Sequence, residues 1–346
     1  MIEDRDGHLS QVSNKRNVAM PLPTPQETKA ILAAYDPLKK PFDCTERLRT
    51  NPPLLAHYTS LHVAEQIIKN EQIWLSHPFY MNDLDELRFG MLQGIQDFPM
   101  YAQDAELTPT RTKRLLDAFN HYVGYMSENT LVDTYVLCLC EHRPDDTDGV
   151  LSMWRSYASQ GHGIALVFNA RYLPNSPQAP LRIAKVIYGS ADKRIGFLRT
   201  HLTEWANITR SAQLADDRLY LAAYAAFMFI KSFALVTKHK GFEEENEWRI
   251  IYDPEFDPDK RLVNQFSYFI GPRGAEPKLK FKIAPVPGGA FDSLSLARLL
   301  EFIVLGPSLS SPIAKSGFSR VLRDTCLKDF EGRIYASTIP LRPITG

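Results

Sequence analysis

The chain predicts an α+β domain: a split, mixed or antiparallel β-sheet core wrapped by helices, with a helical insert near residues 189–238. Three observations carry that expectation. Strands and helices mix without a strict βαβ rhythm, which argues against a doubly wound sheet. The near-continuous apolar run at 135–140 (YVLCLC) has the composition of a strand buried on both faces. Two long helical stretches, about 191–208 and 215–236, separate strand-like segments at 183–188 and 248–252. With 346 residues, 44% hydrophobic and 23% charged, one sizeable core is expected. Residues 1–23 read as a mobile polar tail and 24–346 as a single domain, without repeats or low-complexity tracts.

Each element has a local reason. Thr24 followed by Pro25 is an N-cap with proline in the first turn, opening a helix to about Tyr35. Pro37, Pro41, Pro52 and Pro53 then punctuate a linker. Residues 54–59 form a first strand, and Ser60 caps a helix at 61–70 whose Leu61, Ala64, Ile67 and Ile68 mark one face. A short strand at 73–75 precedes the turn-like His77-Pro78 and polar Asn82-Asp83. Helices are expected from Leu84 and over 110–125, an acidic loop at 141–149, and a helical turn at 152–157. Residues 161–168 read as loop into strand, 237–245 as loop, and 253–290 as a proline- and glycine-rich stretch. Residues 301–305 (EFIVL), ended by Gly306-Pro307, are a buried strand, and 333–337 a final one.

Composition narrows the function classes. Lysine plus arginine equals aspartate plus glutamate at 40 each, so no global field points to nucleic acid or an acidic membrane. A local basic patch such as Arg111, Lys113 and Arg114 remains a candidate nucleic-acid contact. Cys138 and Cys140 share one strand face, a poor geometry for a mutual disulfide. With Cys44 and Cys326 they read as buried, reduced thiols in a cytosolic protein. The polar start has no apolar h-region. Residues 219–236 approach spanning length, but Lys231 and charged flanks favour a buried central helix, so no membrane partner is expected. No HxH, HExxH, GxGxxG or Walker pattern occurs, and no metal site is expected.

Three segments are chemically loaded: Ala56-His57-Tyr58-Thr59-Ser60 at a strand end; Ser76 to Asp83 with Phe79 and Tyr80; and Phe242 to Arg249, an acidic run entering a strand. Alternation places Glu247 and Arg249 on one face and Trp248 and Ile250 on the other. On the residues alone, that face reads equally as a structural ion pair or as catalysis. Trp154 and Tyr157, three apart, read as core packing.

HYTS before a helix, IWLS-x-P-x-Y-x-ND, a C-L-C strand, LSMWRSYASQGHGIALVF and KHKGFEEENEWRIIY follow in that order. Together they resemble a bacterial domain-of-unknown-function family related to the AbiGi abortive-infection proteins, a branch of the ADP-ribosyltransferase superfamily. The resemblance runs from about Leu54 to about Pro307. It implies an ADP-ribosyltransferase-like fold and NAD as substrate. It also implies roles: His57 on an NAD ribose, Tyr58 and Thr59 at the nicotinamide amide, Tyr80 stacked on the nicotinamide, and Glu247 on its ribose. Ser76, Asn82 and Arg249 fall in the same cofactor-binding set. Tyr58 stands where that pattern usually has glycine.

The chemistry agrees with those roles. A cationic nicotinamide ring attracts an aromatic face. Breaking its glycosidic bond builds an oxocarbenium-like centre that a fixed carboxylate stabilises. Glu245, two residues before Glu247, is placed to activate the acceptor or orient Arg249. The expected function is NAD-dependent ADP-ribosyl transfer to a macromolecular acceptor, protein or nucleic acid, by a toxin-like or phage-defence effector restrained by an antitoxin-like partner. The alternatives are a non-catalytic NAD or nucleotide sensor and an NAD glycohydrolase. A metal-dependent hydrolase using His57, Asp83, Glu245 and Glu247 ranks last.

Overall fold

A computed structural model describes residues 23–81, 84–125, 133–173, 179–271, 274–285 and 293–341. Most of the expected tail lies outside them, as do Asn82 and Asp83. In chain order the elements begin with α1 (Pro25–Ala33), α2 (Thr45–Thr50), β1 (Leu54–Thr59), α3 (Leu61–Asn70) and β2 (Gln72–Ser76). They continue with α4 (Leu84–Asp104), α5 (Pro109–Tyr125), β3 (Tyr135–His142), α6 (Leu151–Tyr157), β4 (Ile164–Asn169), β5 (Leu181–Lys185) and β6 (Ile187–Gly189). Next come α7 (Ala191–Ala212), α8 (Leu219–Val236), β7 (Thr237–His239), β8 (Glu247–Tyr252), β9 (Phe266–Gly271) and β10 (Gly274–Lys282). Last are α9 (Leu296–Leu299), β11 (Leu300–Leu305), α10 (Pro312–Leu322) and β12 (Ile334–Ala336). Caps fall where the sequence puts them: Thr24 Oγ1 accepts from the Glu27 amide at 3.1 Å and Ser60 Oγ from Val63 at 3.2 Å.

The fold is α+β, and its sheet is mixed. Among the described residues ten strands join it, with β3 as the hub. One side of β3 is paired by β8, from Tyr135↔Tyr252 to Cys140↔Glu247, and β5 lies outside β8. The other side is shared. Strand β1 pairs with one end of β3 (Ala56↔Cys140), and β2 touches the other end (Ser76↔Val136). Strand β1 carries the arm β4-β11-β12, and β2 carries β10-β9. Only β11–β12 is parallel within this sheet. The arms part at Leu137–Leu139, which neither pairs, so the sheet is split there.

The two faces of the sheet are covered differently. One sheet face packs Leu55, Leu75, Leu137, Leu166, Trp248 and Leu279 into a single apolar cluster. On the other face α4, α5, α7 and α8 cover Val136, Ala184 and Ile251, while α6 covers Ala56, Tyr58 and Cys140. The expected insert at 189–238 is present as α7 and α8, pinned at its base by β6 and β7, which pair in parallel (Tyr188↔Lys238). It does not stand alone, because α4 and α5 pack with it. Glycine makes that contact close: a Cβ on Gly90 would lie 2.6 Å from the Ala234 backbone.

Helix α8 is long and apolar enough to cross a membrane, yet 72% of its most apolar stretch is buried within the protein. Lys231, inside it, is ion-paired to Asp253. Three expectations are corrected. The segment containing Pro37 and Pro41 is helical turns (Asp36–Phe42) rather than open linker, because its prolines fall within short 3-10 geometry and Leu38 is buried. The stretch after 253 holds the hairpin β9–β10, which the prolines and glycines concealed; Pro277 sits within β10. The strand expected at 183–188 divides into β5 and β6, which belong to different sheets.

Candidate functional site

The acidic run of the sequence becomes a cluster of charges where β7, the turn after it, and β8 meet. A 3-10 segment, Lys240–Glu245, ends at Asn246 in the left-handed conformation (φ 41°), and the chain turns into β8. The turn sets Glu245 and Glu247 on either side of one lysine. Lys238 Nζ lies 2.6 Å from Glu245 Oε2 and 3.4 Å from Glu247 Oε2. Arg249 closes the other side of Glu247 with Nε at 2.8 Å from Oε1 and a terminal nitrogen at 3.1 Å from Oε2. Its remaining terminal nitrogen donates to the Leu235 carbonyl at 2.7 Å. The Glu247 amide donates to the Tyr188 hydroxyl at 2.9 Å. Glu247 and Arg249 share a face because they are two apart on one strand, as alternation requires.

Glu247 is 3% exposed. Burial alone would raise its pKa, but the Arg249 charge and hydrogen bonds, the Lys238 charge and the Cys138 thiol together hold it below the usual carboxylate value. It is therefore an ionised, rigid carboxylate at neutral pH. Glu245 is the outward member of the pair. Its Oε1 accepts from the Tyr157 hydroxyl at 2.9 Å, and Tyr157 is 37% exposed. A chain of polar contacts thus runs from solvent through Tyr157, Glu245 and Lys238 to the buried Glu247.

His57 stands at the split, behind this cluster. Alternation turns it to the opposite sheet face from Glu247, and its ring reaches the Cys138 backbone carbonyl in the gap between β1 and β2. Burial pushes its pKa down to about 4, with the Cys138 hydrogen bond opposing the shift. The imidazole is thus neutral near pH 7. Cys138 joins the two residues: its carbonyl serves His57 and its side chain hydrogen-bonds Glu247. Burial, with nearby carboxylates, pushes the Cys140 thiol up to about 12, so it is no nucleophile at neutral pH.

The other expected residues divide. Tyr58 is a core residue on the Glu247 face: its hydroxyl accepts from the Val150 amide at 2.9 Å and its ring meets Trp154 edge-on at 4.8 Å. Thr59 is buried at the end of β1, where its carbonyl leaves no room for a Cβ on Gly163 (2.2 Å). Ser76 forms the far lip of the gap, accepting from Lys278 Nζ at 3.0 Å. It is paired with Val136, four residues along β3 from Cys140, roughly 13 Å at the usual strand rise. Tyr80 lies beyond Ser76, its ring 6.0 Å from that of His77. Asn82 falls outside the described residues.

Sequence reading missed Lys238, Tyr188 and Tyr157. Lys238 stands in the same KHKGFEEENEWR run, where nothing local tells which carboxylate it will meet. Tyr157 was assigned to packing, yet only Trp154 of that pair is in the core. In the patch Arg111, Lys113 and Arg114, both arginines pair with Asp216 and the lysine with Asp117. Among the described residues no group of His, Cys, Asp and Glu is arranged to hold a metal ion.

Residues 153–250 match the family model described as a protein of unknown function (DUF2971). That span includes Tyr157, Tyr188, Lys238, Glu245, Glu247 and Arg249, and leaves out His57, Ser76 and Tyr80. No curated protein and no solved structure matches the chain.

Proposed function

We propose that the protein is an NAD-dependent ADP-ribosyltransferase whose reacting centre lies at Glu245 and Glu247. The observation that carries this reading is the pair of carboxylates two residues apart on one lysine, one buried and fixed, the other reaching solvent. Cleavage of the nicotinamide bond develops positive charge on the ribose, and a preorganised carboxylate stabilises that charge without reorganising. Glu247 fills that role, with Arg249 and Lys238 fixing its two oxygens. Glu245, linked to the surface through Tyr157, takes the proton of the acceptor. On this reading Ser76, on the Glu247 face of the split, is open to the rest of the dinucleotide, and His57, on the opposite face, is linked to Glu247 only through Cys138.

Transfer to water in place of a macromolecule would make the same centre an NAD glycohydrolase. A second reading rests on a different observation: both Glu247 oxygens are occupied by Arg249 and Lys238. That arrangement favours a non-catalytic module that binds NAD or another nucleotide. The two readings separate on incubation of the protein with labelled NAD and lysate fractions, following nicotinamide release and label incorporation, with Glu247→Gln alongside. Release that the variant loses supports catalysis, and the labelled fraction gives the acceptor class. Binding without release selects the sensor, and absence of both binding and release removes NAD from the site.

A further inference from the structure

The arm β2-β10-β9 carries a second surface, away from the carboxylate pair. Its inward face holds Ile73, Leu75, Leu279 and Phe281 in the core. Its outward face is built by register: Trp74 opposite Lys280, Ser76 opposite Lys278, Gln72 opposite Lys282 on β2–β10, and Glu276 opposite Phe269 on β10–β9. Trp74 and Phe269 are 38% and 41% exposed, with ring centroids 5.9 Å apart. Lys280 Nζ sits 4.4 Å from the centre of the Trp74 ring. The indole is held in place, its N–H donating to Gln72 Oε1 at 3.1 Å while the Gln72 amide donates to the Lys280 carbonyl at 3.1 Å. Three lysines stand at alternate positions of this strand: Lys278 is buried and paired with Glu276 at 3.1 Å, Lys280 is half-buried over Trp74, and Lys282 is exposed, its Nζ donating to the Asn70 carbonyl at 2.6 Å.

Protection of a sheet edge does not explain these lysines. Charges that discourage strand pairing belong on the edge strand, yet β9, the outer strand of this arm, is FSYFIG and uncharged, and the lysines stand on the inner strand β10. Core packing does not explain Trp74 and Phe269 either, since both are exposed. Fixed aromatic faces beside two cations that reach the surface, Lys280 and Lys282, match the flat bases and spaced phosphates of a single nucleic-acid strand. We infer that this face binds single-stranded nucleic acid, bases stacking on Trp74 and Phe269 and phosphates meeting Lys280 and Lys282. A base arriving on Trp74 displaces the Lys280 ammonium, which turns to the neighbouring phosphate. Stacking a base is worth more than an exposed cation–π contact, so the exchange is favourable.

The inference goes beyond the transferase reading and does not need it; if both hold, the acceptor is nucleic acid. The test is fluorescence anisotropy of a short labelled oligo(dT) at low salt and without NAD, so its result is independent of turnover. The expected result is binding that weakens as salt rises, falls about tenfold in Trp74→Ala, and has a shallower salt dependence in Lys280→Ala. Circular dichroism of both variants, whose substituted side chains lie on the outward face, checks that they remain folded. Absence of binding overturns the inference, as does binding that folded Trp74→Ala leaves unchanged. Equal binding of duplex DNA or of poly-glutamate also overturns it, since either would mark a general polyanion surface or a site for acidic protein.

Discussion

Strand β8 is clamped to helix α8 and its exit by a buried lysine at each end, and the two clamps differ in kind. At one end Lys231, 2% exposed, is ion-paired among the described residues with Asp253, inside the apolar helices. At the other Lys238, 1% exposed, meets two carboxylates, and one of them continues to the surface through Tyr157. A sealed pair with matched charges is a structural solution to placing a lysine in a core. A lysine shared between a buried and an outward carboxylate leaves acid–base capacity facing solvent. Burial alone therefore does not separate the two lysines; the second carboxylate and its route to the surface do.

The comparison can be broken most severely at the sealed end. Asp253→Ala leaves Lys231 buried without its counter-ion and is expected to cost about 3–5 kcal/mol in urea unfolding, much of it recovered by adding Lys231→Met. A loss well under 1 kcal/mol would mean that water reaches Lys231. At the open end, Glu247→Gln is expected to lower nicotinamide release by roughly 100-fold. Its stability loss should be smaller than that of Asp253→Ala, because Lys238 keeps Glu245 and Arg249 keeps the Leu235 carbonyl. Equal losses in the two variants would erase the distinction.

Acid sharpens the contrast from another direction. His57 has a folded-state pKa of about 4, below its ordinary 6.5. The unfolded chain therefore takes up the proton first, and stability present above pH 6.5 is lost as pH falls toward 4. Glu247 also has a lowered pKa, so its contribution holds above its ordinary 4.5 and disappears only at lower pH. Urea midpoints measured across this range should fall in two stages, and His57→Asn should remove the first. A single transition confined below pH 4.5 would contradict the enclosed, neutral imidazole. The smallest effect is expected for Tyr157→Phe, about 1 kcal/mol or less of stability, with a reduced rate of transfer; a rate unchanged from wild type would remove Tyr157 from the relay.

Much of the site was legible locally because its parts are local. Glu247 and Arg249 lie on one strand, and a two-residue period puts them on one face whatever surrounds them. Glu245 was legible only as a member of the acidic run, because it lies in the turn before the strand. His57 was legible as a polar residue at a strand end, but its distance from Glu247 was not, since that depends on where β1 leaves β3. Tyr157 and Lys238 were missed because helical spacing says which residues share a face, and a basic run says only that charge is present. Neither says which carboxylate will be near.

Alternation, caps and apolar runs, all properties of neighbouring residues, determined the α+β class, the central strand at 135–140, the two long helices of 191–236 and the shared face of Glu247 and Arg249. Tertiary structure alone decided that β1 and β2 divide one edge of β3, that Cys138 stands between His57 and Glu247, and that Lys280 lies over Trp74. The reason is physical. Local geometry is set by backbone sterics and side-chain period within a few residues, whereas register between strands distant in the chain is selected by the packing of the whole core.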